Sequence, residues 1–144
     1  MVKRAAKKDL DTLVNLAGIM WDRHSVIQLF HEFSEIMAKG DTQFFLKYED
    51  EIAVGFAQCR LRHDHVKGTK TSPVGYLERV FVKEGYRNKG YAVELLEACE
   101  AWAKENGCME LAGDCEIDDK ESFDFYKAMN FTEANRLICF TKAL

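Results

Sequence analysis

Val80-Phe81-Val82-Lys83-Glu84-Gly85-Tyr86-Arg87-Asn88-Lys89-Gly90-Tyr91-Ala92 passes from an apolar, β-branched stretch into a short polar loop. After Gly90 the apolar residues Ala92, Leu95, Leu96, Cys99, Trp102 and Ala103 recur at helical spacing. The pattern predicts a strand, a loop and a long amphipathic helix. The first amides of a helix lack an intrahelical acceptor and carry the positive end of its dipole. A glycine at that point lets the backbone approach an anion with no Cβ in the way. Arg87, Gly90 and Ala92, at R-x-x-G-x-A spacing, therefore mark a place for a pyrophosphate. A nucleoside triphosphate loop would need Gly-Lys-Ser/Thr and a dinucleotide loop two further glycines, and the stretch has neither.

Working outward, residues 74–82 are rich in β-branched and aromatic side chains and predict a strand. Residues 43–48 and 52–62, divided by Glu49-Asp50, predict a hairpin, and 64–73 a polar loop. Two amphipathic helices precede the hairpin. One covers 9–20, capped by Asp9, with Leu10, Leu13, Val14, Ala17 and Met20 inward. The other covers 25–38, with Val26, Leu29, Phe30, Phe33, Ile36 and Met37 inward and Gly40 past its end. Downstream, Gly107 stops the long helix and 109–114 predicts a strand. Asp118 or Asp119 caps a short helix holding Ser122, Phe123, Tyr126 and Met129, with Asp118-x-x-Glu121 as a capping box. Residues 136–142 predict a final strand. The order β-αα-βββ-α-β-α-β predicts one α/β (α+β) domain over residues 1–144, a mixed central sheet flanked by helices on both faces. Strand 74–82 holds a conflict. Strict alternation groups Glu78 with Val80 and Val82, and Arg79 with Leu77 and Phe81. A buried arginine is costly, so a bulge or a partner for Arg79 is expected.

A chain of 144 residues suits one domain with a sizeable core. Its 24 acidic and 20 basic residues give a net charge of −4, which argues against general nucleic-acid binding and suits a cationic small substrate. No apolar run approaches the ~20 residues that span a bilayer. Residues 1–9 are basic but lead into no apolar signal core, so a cytoplasmic protein without membrane contact is expected. Cys59, Cys99, Cys108, Cys115 and Cys139 form an odd set without C-x-x-C, which reads as reduced thiols. His63, Asp64 and His65 have no third ligand nearby in sequence, and no metal is expected.

The loop from Arg87 to Ala92, with its preceding strand and following helix, resembles the pyrophosphate loop of the GNAT family of N-acetyltransferases, which bind acetyl-CoA. Phe125-Tyr126-Lys127-Ala128-Met129-Asn130-Phe131 is similar to that family's F-Y-x-x-x-G-F segment, with Asn130 in place of glycine. Asn tolerates the left-handed conformation needed after a helix end. A longer match, Val66-Lys67-Gly68-Thr69-Lys70-Thr71-Ser72-Pro73-Val74-Gly75-Tyr76-Leu77-Glu78, resembles the bacterial aminoglycoside 6′-N-acetyltransferases. Trp21-Asp22, Trp102-Ala103-Lys104 and Ala112-Gly113-Asp114 are similar to that branch as well. Two positions depart from it: Arg79 stands where the branch has glycine, and Gln58 where it carries an acid.

The resemblance implies acetyl transfer from acetyl-CoA to a primary amine, the 6′-amine of an aminoglycoside, by direct attack in a ternary complex. It implies donor binding by Val80, Phe81, Val82, Arg87, Asn88, Lys89, Gly90, Tyr91 and Ala92, together with Asp119 and Ser122. It implies acceptor binding by Trp21, Asp22, Glu78, Arg79 and Asp114, and a homodimer joined through C-terminal strands in which Leu137, Ile138 and Phe140 would suit the edge. Alkyl amines are mostly protonated at neutral pH, so a carboxylate near the amine can attract the cation and accept its proton, directly or through water. Glu78 and Asp114 both qualify. Tyr126 is the expected general acid, giving a proton to the departing coenzyme thiolate. Two rival readings are transfer to another amine (a polyamine, an amino acid, a protein N-terminus) and an acyl-CoA-binding module without turnover.

Overall fold

The computed structural model describes residues 1–21 and 25–144. Strand β1 (Val2–Arg4) leads through a 3-10 turn (Lys7–Asp9) into α1 (Leu10–Met20) and α2 (Val26–Lys39). Strands β2 (Thr42–Glu49), β3 (Ile52–Arg62) and β4 (Val74–Val82) follow, then α3 (Tyr91–Glu105), β5 (Leu111–Gly113) and α4 (Lys120–Ala128). The sheet runs in the order β1-β2-β3-β4-β5. Its pairs are antiparallel except β4–β5, which is parallel because α3 carries the chain back across the sheet.

Two cores sit on opposite faces. Leu13, Leu29, Phe33, Phe44, Leu46 and Phe56 are fully buried between the sheet and α1–α2. On the other face Leu77, Val82, Leu95, Cys99 and Trp102 pack beneath α3, with Tyr126 and Phe131 at the margin. Burying side chains of this size contributes about 1.5–3 kcal/mol each, which is what clamps the helices to the sheet.

Local signals set the helix ends. The Ser25 hydroxyl accepts from the Gln28 amide at 3.0 Å, and the Gln28 side chain accepts in return from the Ser25 amide, a capping box. The expected cap of α1 acts differently. Asp9 precedes the helix, but its carboxylate accepts from Ala6 N at 2.8 Å and Lys3 Nζ at 3.0 Å, fastening the 3-10 turn. Asp119 is the cap of α4, accepting from the Ser122 amide at 3.1 Å. Asn130 follows α4 with φ +68°, the left-handed conformation expected of it.

Two sequence expectations fail. Val26 and Phe30 face solvent: Val26 precedes the first buried residue, Leu29, and Phe30 lies about a quarter-turn round the helix from it, at the edge of the apolar stripe. Residues 132–144 are exposed and carry no strand, with Leu137, Ile138 and Phe140 71%, 79% and 88% exposed. Strand-forming side chains make a ladder only against an edge that can receive them. Among the described residues of the single chain, the tail meets no such edge.

Candidate active site

Register decides the site. In the β3–β4 ladder Gln58 opposes Arg79 while Cys59 opposes Leu77, so Glu78 is one extra residue on β4. This bulge resolves the conflict in the sequence. Leu77 joins Val80 and Val82 under α3, while Arg79 points with Phe81 toward α1–α2. Arg79 also has its partner. Its Nη2 donates to Glu32 Oε1 at 3.2 Å, and its guanidinium lies 4.1 Å from the Trp21 ring centroid and 5.4 Å from that of Phe33. Glu78, freed by the bulge, reaches Arg60 Nε at 3.1 Å.

Past the cover of α1 and α2, this face of the sheet becomes a polar strip. Gln58, Arg60 and Arg62 come from β3, and Tyr76, Glu78 and Arg79 from β4. Beyond the end of β5, Asp114 accepts from the Tyr76 hydroxyl at 2.6 Å. Burial first, and then the bond to Asp114, raise the Tyr76 phenol and keep it neutral. Arg62 pairs with Asp64, and its guanidinium lies 4.7 Å from the Tyr76 ring centroid. The Arg62 bond holds the Asp64 carboxyl down to about 2. The adjoining loop is tied by Glu110, which accepts from the amides of Lys70 and Thr71 at 2.8 Å each.

The β4–β5 ladder ends at the pair Leu77↔Gly113, but β4 continues to Val82. From Glu78 onward β4 therefore offers one backbone edge that β5 does not use. Tyr126 stands at the mouth of this wedge. Its hydroxyl donates to the Asp114 carbonyl at 3.2 Å, and its ring meets Phe131 edge-on at 4.9 Å. Burial first, then the Asp114 charge, raise the Tyr126 phenol. It stays protonated, and its hydrogen goes to the Asp114 carbonyl.

The far end of the wedge reaches the start of α3. Gly90 has φ +81°, and no side chain caps the helix. A cleft of ≈190 Å³ lies there, lined by Val82, Tyr86, Arg87, Gly90, Ala92 and Phe125. An unpaired backbone edge, uncapped helix amides and an adjoining cleft fit an extended amide-bearing arm that ends in phosphates. The loop cations are held by the protein. Arg87 Nε donates to the Val82 carbonyl at 2.8 Å, and Lys89 reaches Glu49 at 3.3 Å. Asn88 adopts φ +64°. Tyr91 donates its hydroxyl to Glu49 at 2.8 Å.

The sequence-chosen residues thus fall into two groups joined by β4. Glu78, Arg79, Trp21 and Asp114 border the polar strip. Val80, Phe81, Val82 and residues 87–92 border the wedge and cleft, with Tyr126 where the two meet. Asp119 and Ser122 are bonded to each other at the head of α4, hydroxyl to carboxylate at 2.7 Å. Asp22 lies outside the described residues. His63 and His65 are exposed. Arg60, Tyr76 and Glu110 were not singled out in the sequence, and Gln58 stood out only as a departure from the resembling branch. The only signal for Arg60 and Tyr76 was strand register, which appears once β3 and β4 are paired.

The model of the Acetyltransferase (GNAT) family matches residues 10–131. The Aminoglycoside N(6')-acetyltransferase type 1 of Serratia marcescens is 34% identical over 137 residues, 94% of this chain and 94% of that protein. Its namesake from Acinetobacter genomosp. 13 is 33% identical over 130 residues, 90% of this chain and 88% of the relative. Among solved structures, AAC(6')-Iy in complex with the bisubstrate analog CoA-S-monomethyl-acetylneamine superposes with a TM-score of 0.93 at 30% identity, covering 100% of this chain and 98% of that one.

Proposed function

Because the chain belongs to the GNAT acetyltransferase family, we propose that it transfers the acetyl group of acetyl-CoA to the 6′-amine of an aminoglycoside, by direct attack in a ternary complex. One juxtaposition carries this reading: the open edge of β4 runs from the uncapped start of α3 to the Glu78 carboxylate at the bulge. The relatives that align over nearly the whole chain, named for 6′-acetylation, support the acceptor.

Acetyl-CoA supplies an activated thioester carbonyl, to which the amine nitrogen bonds as the carbon–sulfur bond breaks. The backbone of Val80, Phe81 and Val82 and the amides of residues 87–92 bind and orient the donor, and Asp119 and Ser122 contribute through the head of α4. Glu78 takes the proton that the attacking amine must lose. Asp114, engaged by the neutral Tyr76 hydroxyl, attracts the acceptor's ammonium group. Trp21, Asp22 and Arg79 complete the acceptor side. Tyr126 donates a hydrogen bond to the departing sulfur. Among the described residues no helix is long and apolar enough to cross a membrane. We place the protein in the cytoplasm, where its co-substrate is made.

The test is acetyl-dependent thiol release across aminoglycosides with and without a 6′-amine, with a polyamine and an amino acid as further acceptors. Release confined to the sugars with a 6′-amine is expected. Faster release with the polyamine or the amino acid would replace the acceptor but keep the chemistry. Coenzyme A binding without release from any amine would reduce the protein to a binding module.

We also assign a homodimer. The exposed Leu137, Ile138 and Phe140 have the composition of a strand awaiting an edge, and a second copy supplies one. Sedimentation should give a dimer for the full chain and a monomer after deletion of residues 135–144. A monomeric full chain would refute the assignment.

A further inference from the structure

Lys47 and Glu49 stand two residues apart on β2, on the same face of the strand, and both reach the first turn of α3. Lys47 Nζ bonds Glu94 Oε1 at 2.8 Å and lies 4.4 Å from the Tyr91 ring centroid. Lys47 is only 5% exposed, so the ring is held in place. Glu49 accepts from the Tyr91 hydroxyl at 2.8 Å and from Lys89 Nζ at 3.3 Å through both of its oxygens. The two bonds differ in kind. The tyrosine bond is short and belongs to a fixed ring. The lysine contact is long, and its side chains are 45% and 33% exposed. Ion pairs of that kind hold weakly. Tyr91 therefore anchors the carboxylate, and Lys89 is the member free to leave.

Lys89 stands between Asn88 and Gly90, which line the cleft at the start of α3 together with Tyr86 and Tyr91. Its Nζ lies 5.5 Å from the Tyr86 ring centroid. A short swing of its flexible stem brings the ammonium to an anion in the cleft. Arg87 is held more firmly: its Nε donates to the Val82 carbonyl, and its Nη1 lies 4.0 Å from Glu121 Oε1. A phosphate entering the cleft draws Lys89 away from Glu49. The carboxylate cannot follow or turn aside without giving up Tyr91, so its negative charge stays beside the phosphates.

We infer that Glu49 is a fixed counter-charge of the donor site. It holds Lys89 while the site is empty and competes with the coenzyme's phosphates for that cation. It thereby lowers the affinity for acetyl-CoA and for coenzyme A alike, which favours release of the product. This rests on the acetyl-CoA reading of the cleft.

Titration calorimetry with coenzyme A tests it on the wild type, Glu49→Gln, Lys89→Gln and the double variant. Glutamine at 49 still accepts from the Tyr91 hydroxyl, so the loop keeps its anchor and only the charge is lost. Glu49→Gln should bind coenzyme A about threefold or more tightly, the size of one exposed charge pair, and the gain should shrink as salt is raised. The KM for acetyl-CoA should fall in parallel, while the KM for the acceptor holds. Lys89→Gln should weaken coenzyme A binding more in the Glu49→Gln background than in the wild type, because there the lysine has no carboxylate to leave. Unchanged or weaker binding in Glu49→Gln overturns the proposal, and weaker binding would make Glu49 a support of the loop's shape instead. An equal cost of Lys89→Gln in both backgrounds overturns the competition for the cation. A wild type that does not bind coenzyme A removes the donor reading itself, and the proposal with it.

Discussion

Glu78→Gln is expected to lower kcat/KM by about 10²-fold or more, the range spanned by the loss of a general base. Glutamine keeps the volume and one acceptor oxygen of the side chain but cannot take a proton. The loss falls on the step in which the amine nitrogen sheds its hydrogen. Stability should change little, because glutamine keeps an acceptor oxygen beside Arg60 Nε, an atom closed to water although the side chain as a whole is 41% exposed. Affinity for acetyl-CoA should hold if, as proposed, the donor binds along the backbone edge of β4 and not against this carboxylate. The comparison variant is Asp114→Asn. If Asp114 attracts the ammonium group, its loss should raise KM for the acceptor more than it lowers kcat. Steady-state kinetics over a pH series separates the two. A Glu78→Gln enzyme with an unchanged pH–rate profile would transfer the base to Asp114 or to a water.

The donor half was more legible than the acceptor half. Strands β3 and β4 begin and end where the sequence places them, because turn residues flank them closely: Glu49-Asp50 before one, Ser72-Pro73 before the other. The uncapped start of α3 was legible too, since a glycine, a polar loop and a helical apolar stripe are all local signals. The bulge at Glu78 was not. Period-two alternation exposed the clash over Arg79 but could not choose between a register shift and an ion pair, and the molecule uses both. The partners Glu32 and Gln58 lie 47 and 21 positions from Arg79 in the chain, so no window of local sequence contains them. Val26 and Phe30 failed for a related reason. An apolar stripe says which side of α2 faces inward, but neither where along the helix the core begins nor how wide a sector it covers. The tail of residues 132–144 has strand-forming composition, and composition does not supply the edge.

Gly113→Ala should cost up to about 10²-fold in kcat, the penalty of displacing a reacting group by roughly 1 Å. A Cβ on residue 113 would sit 3.0 Å from both Cε1 and Cζ of Tyr126 and inside the radius of its hydroxyl. Something must move. Residue 113 is paired with Leu77 in the last rung of the β4–β5 ladder, so the strand is the stiffer side. The tyrosine ring, near the solvent margin and stacked edge-on with Phe131, is the softer one. Its displacement takes the hydroxyl from the mouth of the wedge, where it would meet the departing sulfur. Tyr126→Phe sets the contribution of the hydroxyl alone. Tyr126→Ala removes the obstacle as well as the donor, so adding Gly113→Ala to it should cost little further. That non-additivity identifies the ring as the route of the effect. Were Gly113→Ala equally damaging with and without Tyr126, the glycine would act through the strand and not through the tyrosine. An undiminished kcat in both Gly113→Ala and Tyr126→Phe would remove Tyr126 from the chemistry.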